Sequence, residues 1–293
     1  MTDLDVVVVG GGPTGCSAGV FTARYGLRTT IFDRGAAALP RCAYLENYPG
    51  FPAGIDVETF SRLLHAQAEE AGCSVVPEMV ESVERDGDGF AVETSEGRQI
   101  TATYVVAATW YDGSFLRPLG GDEMFETHDH GGETHEHFDP DYADDDGRTP
   151  VDGLYVAAPA GERTVQAVIA AGNGAHVARS LLFDHRCAEG YPEGVAAHYD
   201  WLRGDADFTG EWAERDRWRE WFASEVEVDP ADDDRVRERR EQYIDDAFET
   251  YVPPEEAEQR AERGVRRLVD VVGPERVLDA LDDDAIREYL DGN

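Results

Sequence analysis

The sequence predicts an α/β fold, a parallel sheet covered by helices with a small antiparallel hairpin, followed by an all-α C-terminal region. Three observations carry this. An apolar run from Val6 to Val9 leads into a glycine-rich turn, a helical stretch and a second apolar strand by residue 32. Two alternating segments flank Asp86-Gly-Asp-Gly89. Beyond Gly190 strand patterns stop, and charged stretches with helical spacing run to the end.

Val6 to Val9 are β-branched without a polar interruption, the pattern of a strand buried on both faces. Gly10, Gly12 and Gly15 supply G-x-G-x-x-G at its end, with Pro13 and Thr14 inside the motif. Residues 16–25 have helical spacing, Gly26 closes the helix, 28–32 form a second strand, and Asp33 sits at its tip. This is the Rossmann-like βαβ unit that holds the ADP part of a dinucleotide. Gly10 permits the tight turn, Gly12 lets backbone approach a pyrophosphate, and Gly15 lets helix and strand pack closely. The helix start offers N–H groups and positive partial charge, and Asp33 can accept hydrogen bonds from ribose hydroxyls. The motif alone leaves NAD and FAD open.

The remaining elements follow in order. Residues 34–41 form a loop, and Pro49, Gly50, Pro52 and Gly54 make 44–55 an ordered turn region. Asp56 or Thr59 caps a helix to about 70, with Phe60, Leu63 and Leu64 on one face and Gly72 beyond its end. A short strand spans 73–76, a hairpin pairs 80–85 with 89–94, and a strand over 99–108 runs into Thr109-Trp110. Helices are expected over 192–202, 211–226, 230–250, 254–272 and 274–290, with caps at Thr209 and Asp229 and a stop at Gly273. Trp201, Trp212, Trp218 and Trp221 are expected to pack these helices onto the sheet domain, and the runs Asp232–Asp234 and Asp282–Asp284 to be solvated helix starts.

The chain of 293 residues has 62 acidic and 26 basic side chains, a net charge of −36. Every basic residue is Arg, since the sequence contains no Lys. An acidic, lysine-free surface points to a halophile of haloarchaeal type with a cytoplasm at molar salt, where the Debye length of about 3 Å screens acid–acid repulsion. Intrinsic disorder fits poorly, because 41% of residues are hydrophobic. No basic patch exists to meet nucleic acid. The four cysteines, Cys16, Cys42, Cys73 and Cys187, form no C-x-x-C, which argues against a local redox dithiol and a zinc knuckle and fits a reducing cytoplasm. No signal peptide is evident and no apolar run approaches membrane-spanning length, so a cytoplasmic location is expected.

Gly-x-Gly-Pro-x-Gly at 10–15, Glu46-Asn-Tyr-Pro-Gly-Phe51, the strand ending Ala107-Ala-Thr109, Gly153-Leu-Tyr-Val-Ala157 and Thr164-Val-Gln-Ala167 with its helix occur in one order. In this the chain resembles thioredoxin reductase-type pyridine nucleotide–disulfide oxidoreductases, over roughly 1–117 and 150–183. The resemblance implies FAD as cofactor. The first βαβ unit would hold its pyrophosphate, Asn47 would lie near the flavin, Gln166 and Ala167 would contact the isoalloxazine ring, and Thr109 would belong to the same site. It also implies three regions: an FAD-binding domain of 1–117 and 150–188, an insert of 118–149 where the family carries an NADPH domain, and a helical region of 189–293.

The departures from the family are specific. The insert is too short for a second Rossmann unit, and it contains no second glycine motif and no C-x-x-C. Trp110 replaces an expected Gly, Ala158-Pro159 replaces a Gly-Asp that binds the ribityl chain, and Val165 replaces an Arg, with Arg163 nearby as a substitute. Losing that Asp removes a charge-assisted hydrogen bond worth about 1.5–3 kcal/mol.

Three functions follow as expectations. The first is an FAD-dependent oxidoreductase served by an external donor: a ferredoxin, NAD(P)H or a dithiol protein. No convincing acid, base or nucleophile stands out, and Cys42 is the one thiol to test. A homodimer is compatible with this reading. The second is a non-catalytic paralogue acting as a scaffold or regulator. The third is a metal-binding protein, because His128, His130, His135 and His137 form two H-x-H pairs around a Gly-Gly turn, where i and i+2 share a hairpin face. The bland alternative for that insert is a solvated acidic loop.

Overall fold

A computed structural model of the chain describes residues 2–35, 38–110, 112–130, 133–160 and 165–292, with backbone alone at 128–130 and 133–135. The elements in order are β1 (Leu4–Val9), α1 (Pro13–Arg24), β2 (Thr29–Phe32), α2 (Val57–Glu70), β3 (Ser74–Val76), β4 (Val80–Asp86), β5 (Gly89–Thr94) and β6 (Gln99–Ala108). Then come the short α3 (Arg117–Gly120), β7 (Phe125–His130), β8 (Glu133–Phe138), β9 (Leu154–Ala158), α4 (Ala167–Glu189) and the single turn α5 (Glu193–Ala196). The chain continues through α6 (Arg215–Glu225), α7 (Asp234–Glu249), α8 (Pro254–Val272), α9 (Pro274–Asp279) and α10 (Asp283–Gly292).

β3, β2, β1 and β6 are parallel neighbours, and β1 lies between β2 and β6. The long β6 is forked. Its first half, Gln99 to Ala102, pairs antiparallel with β5, which pairs with β4. Its second half, Val105 to Ala108, pairs parallel with β9. The expected parallel sheet with an added antiparallel hairpin is what the chain forms.

Strand alternation sends side chains to two cores. Val6, Val8, Ile31, Val106 and Ala157 meet Ala18 of α1 and Val177, Leu181 and Leu182 of α4 on one face. Val7, Val9, Phe32, Val105 and Val156 meet Phe90, Leu116, Met124 and Phe138 on the other. The last two come from the insert, and both are buried. The insert is therefore not a solvated loop: its hairpin, β7 with β8, covers the sheet face opposite α1 and α4. A Cβ on Gly113 would lie 2.4 Å from the Phe138 ring, so a bare glycine backbone lets this cover sit close.

The C-terminal region is all-helical, with five corrections to what the sequence predicts. The stretch 192–202 is one turn followed by irregular chain, because Arg203 is tied by backbone bonds to Thr250 and Val252. The expected 230–250 helix begins at Asp234, because Asp233 caps it by accepting from the Arg235 and Val236 N–H groups; Asp229 serves a local turn at Ala231. Thr209 makes no side-chain cap. The expected 274–290 helix breaks into α9 and α10, and Asp282 accepts from the Asp284 N–H at the restart. The tryptophans pack helices on each other, not on the sheet domain. Trp218 and Trp212 join Phe208, Ile244 and Phe248, and Trp221 joins Val195, Phe222 and Val236. Trp201 is exposed. Among the contacts between the sheet domain and this region is buried Arg186 of α4, whose guanidinium lies 3.9 Å over the Tyr191 ring. No helix among the described residues is long and apolar enough to cross a membrane.

Candidate dinucleotide site

A cavity of about 770 Å³ opens at the C-terminal ends of β1 and β6. That volume lies in the range of cofactor pockets, and the place is where parallel α/β sheets bind ligands. Of the site residues expected from sequence, Gly10, Gly12, Pro13, Thr14, Asp33, Asn47, Thr109, Gln166 and Ala167 line it. Gly15 does not; it serves the turn from behind.

The glycines have separable causes. Gly10 is left-handed at φ 114°, and a Cβ there would lie 2.3 Å from the Ala108 carbonyl oxygen. A Cβ on Gly15 would lie 1.8 Å from the Gly10 carbonyl oxygen, which lets α1 leave the turn at once. Gly12 differs: nothing lies within 4 Å of its would-be Cβ. That space opens into the cavity at the N-cap of α1. Gly11, to which the motif assigns no role, is equally constrained, since a Cβ would lie 2.4 Å from the Asp33 Cβ.

Two helix N-termini border the same space. α1 starts with Pro13 at N1 and has neither a capping side chain nor an acid in its first turn. α4 starts after Gln166, also without a side-chain cap or first-turn acid. Gly174 lets the two cross in backbone contact, since its Cβ would lie 2.0 Å from the Thr14 carbonyl oxygen. Uncapped N–H groups and two positive dipole ends suit an anionic ligand. Asn173 secures α4 by donating from Nδ2 to the Ala157 carbonyl at 2.7 Å.

Asp33 is held in place by three groups. Its Oδ1 accepts from the Gly35 N–H at 2.9 Å, and Oδ2 lies 3.3 Å from the His65 Nε2. That His65 nitrogen also lies 3.0 Å from the Gly11 carbonyl oxygen. The His65 contact, then the Gly35 and Gly11 N–H groups, hold the Asp33 carboxyl below its ordinary range. Asp33, then Cys16 and the Gly11 carbonyl, push His65 up to about 10. His65 was invisible in the sequence, because its partner lies on another strand and nothing in α2 marks it.

Asn47 and Gln166, 119 residues apart, meet directly: Asn47 Nδ2 donates to Gln166 Oε1 at 2.8 Å. Ala167 begins α4 beside them. The Thr109 hydroxyl is engaged, donating to the Asp112 carbonyl. Trp110 lines the cavity with a left-handed backbone, φ 63°. The turn thus keeps a conformation that favours glycine while carrying a large side chain, at about 1–2 kcal/mol of strain. Ala158 lines the cavity, and Pro159 is buried. Among the described lining residues the cation is Arg34, and it is bridged to Asp112 at 2.6 Å. Arg163 lies outside the described residues. Cys42 is an exposed free thiol on the wall.

The histidines of the insert lie elsewhere, on β7 and β8, where His128 pairs across the ladder with His135, His130 with Glu133, and His137 with Glu126. Among the described residues no three ligating side chains converge on a metal position; the side chains of His128, His130 and His135 are outside that set.

The sequence model of the pyridine nucleotide-disulphide oxidoreductase family matches residues 5–174, more than half of the chain. The chain belongs to that family. Among relatives, this oxidoreductase-family chain is 36% identical over 124 residues to the thioredoxin reductase of Streptomyces clavuligerus, covering 41% of this chain and 38% of the relative. To the thioredoxin reductase of Aquifex aeolicus it is 31% identical over 107 residues, 36% of this chain and 33% of the relative. The chain thus spans less than two fifths of the length of these relatives. In fold it is similar to a thioredoxin reductase from Gloeobacter violaceus, with a TM-score of 0.53 at 20% identity, covering 69% of this chain and 98% of that one. It is also similar to an oxidoreductase from Agrobacterium tumefaciens, with a TM-score of 0.51 at 12% identity, covering 64% of this chain and 99% of that one.

Proposed function

We propose that this family member binds FAD in the cavity and passes electrons through it from an external donor. The observation that carries the reading is that one cavity is lined both by the glycine turn with Asp33 and by the hydrogen-bonded pair of Asn47 and Gln166. The residues present fit the cofactor. The open space beside Gly12, between two uncapped helix starts, suits a pyrophosphate, and Asp33, ionised and fixed by His65, is a ribose acceptor. When bound, FAD supplies two-electron acceptance and return at its isoalloxazine ring. The protein's part is to hold and orient it: Asn47 and Gln166 fix each other's amides, and Trp110 and Cys42 border the same chamber.

The donor must come from outside this cavity's own residues. The sequence carries no C-x-x-C and no second glycine motif in 118–149, so NAD(P)H, a reduced ferredoxin or a dithiol protein fills that role. The proposed regions are the FAD domain of 1–117 and 150–188, the insert of 118–149 and the helices of 189–293. A halophilic, cytoplasmic setting belongs to the same reading and rests on the lysine-free charge of −36. The alternative of a non-catalytic scaffold has one observation in its favour, Trp110 on the cavity wall.

Protein purified in molar KCl should carry, or take up, about one FAD per chain and absorb in the visible; a colourless protein that takes up no FAD overturns the proposal. Bleaching of the bound flavin by NADH, NADPH, reduced ferredoxin or a reduced dithiol protein identifies the donor, and a flavin that none of them reduces favours the scaffold. Gly12→Val should abolish FAD uptake without unfolding the protein, because the new side chain enters open space. Asn47→Ala or Gln166→Ala should weaken FAD about 3–10-fold, the worth of one hydrogen bond, and the double variant should lose little more, as titration of the apoprotein would show.

A further inference from the structure

The insert carries a short tandem repeat, Glu126-Thr-His-Asp-His130 and Glu133-Thr-His-Glu-His137, separated by Gly131-Gly132. The chain has 8 histidines, and four of them fall within this stretch. The repeat folds back on itself. β7 and β8 pair antiparallel with Phe125 opposite Phe138, Glu126 opposite His137, Thr127 opposite Glu136, His128 opposite His135, Asp129 opposite Thr134 and His130 opposite Glu133.

Alternation along a strand then divides the ribbon. Positions 125, 127, 129, 134, 136 and 138 share one face. Phe138 of that face is buried, its ring packs on Phe125 at 5.9 Å between centroids, and the Arg117 guanidinium sits 4.1 Å over Phe125 and pairs with Glu136. At its Phe125–Phe138 end this face is committed to the body of the protein, while Thr127 and Glu136 are exposed. Positions 126, 128, 130, 133, 135 and 137 share the opposite face, and every one of them is His or Glu. The antiparallel register gives that face an approximate two-fold arrangement: a central His–His rung flanked by two Glu–His rungs. A shift of register by one residue would destroy the grouping.

We infer that this face binds a divalent transition metal of the zinc, nickel or copper class, with the His128–His135 rung at its centre and His130 or His137, one rung away on either side, as the third ligand. Directly opposed positions on such a ribbon stand about 4.5–5.5 Å apart at Cβ and diagonal ones about 7–8 Å, separations that imidazole ligands of one ion bridge, whereas His130 and His137 stand two rungs apart and are alternatives to each other. Glu126 and Glu133 supply compensating negative charge. The choice of histidine has a chemical reason in this chain. With 62 carboxylates, oxygen ligands are everywhere and are met by hard cations such as potassium and magnesium. Imidazole selects the borderline metals against them.

The test uses untagged full-length protein in molar KCl, stripped with a chelator, loaded with Zn²⁺ alone and dialysed. The expected result is one zinc per chain, with Co²⁺ substitution giving the visible bands of a nitrogen-ligated site. His128→Ala combined with His135→Ala should weaken zinc binding roughly a hundredfold or more, while His176→Ala, outside the ribbon, should leave it unchanged. Far-UV circular dichroism checks that the double variant is folded; if it is not, His130→Gln with His137→Gln takes its place, with the same weakening expected. Sub-stoichiometric zinc in the parent protein, or undiminished affinity in a folded variant lacking a histidine pair, overturns the inference. The flavin spectrum is a separate readout, so this result stands apart from the fate of the FAD proposal.

Discussion

Val6, Val7 and Val8 of β1 are fully shielded from solvent, whereas α8 contains no buried residue. The two regions come from one acidic, lysine-free chain and are held differently. The sheet domain rests on apolar packing on both faces of β1 and β6. α8 and α9 rest on α2 through charge. Arg263 pairs with Glu70, Arg267 lies 3.2 Å from Glu70, and Arg276 reaches Asp56 and the Thr59 hydroxyl, both at 2.9 Å. Burial of apolar surface is insensitive to screening, while exposed ion pairs are weak and screened by salt. The comparison locates the stability of the fold in the sheet and makes the last helices a dependent layer.

The sharpest way to break that comparison is to open the core. Phe90→Ala empties a fully buried position between the hairpin and the sheet, and urea unfolding in molar KCl should show a loss of about 3–5 kcal/mol. A loss below about 1 kcal/mol would mean that packing does not hold the sheet. The acid limb should separate the layers next. Asp56 caps α2 and meets Arg276, and the Thr59 N–H with that Arg holds its carboxyl at about 2. Its folded value is depressed, so its contribution is complete above the ordinary carboxylate range and is lost as pH falls toward 2. Asp56→Ala should cost about 1 kcal/mol as a lost cap at neutral pH and clearly less at pH 2, where the folded carboxyl is about half protonated, as thermal melts at the two pH values would show.

His65 tests the site layer by the opposite sign. Its folded value is raised to about 10, so its contribution is complete below the ordinary imidazole value and is lost as pH rises through about 10. His65→Gln should flatten the alkaline fall in melting temperature; an unchanged slope would detach His65 from Asp33. The smallest effect belongs to the outer layer. Arg267→Ala should change stability by less than about 1 kcal/mol, and a larger loss in unfolding would show that α8 is integral to the core.

What could be read in the sequence divides along the same line. β1, β4, β5 and β6 were legible because their apolar pattern is set by the environment on each face, and the glycine turn because its spacing is imposed by backbone contact. Asn47 and Gln166 were legible through family resemblance alone; no local pattern connects positions 119 apart in the chain. Gly11 and His65 were not legible, since both are defined by Asp33, which only the fold brings near. The C-terminal boundaries failed for a related reason. Asp229 and Asp233 are equally good caps in isolation, and the choice is made by where Val236 is buried against Val195 and Phe222. The bland alternative for the insert, a solvated loop, fails because its charge hides two apolar residues, Met124 and Phe138, that seal the sheet.

The fork in β6 has one more consequence. The chain leaves the sheet after Ala108 and returns at Leu154 on the strand beside it, with Val105 opposite Leu154. Because the two strands run parallel, departure at Ala108 and re-entry at Leu154 lie at opposite ends of the ladder, three residues or roughly 10 Å apart along the strand, a span fixed by the sheet and not by what is threaded across it. Loop-closure entropy rises only logarithmically with the length of the detour, about 0.6 kcal/mol per doubling. A whole domain or a short hairpin can therefore bridge the span while the register on either side stays fixed. For protein engineering, a module exchanged at residues 118–149 must also replace the cover that Met124 and Phe138 give the sheet.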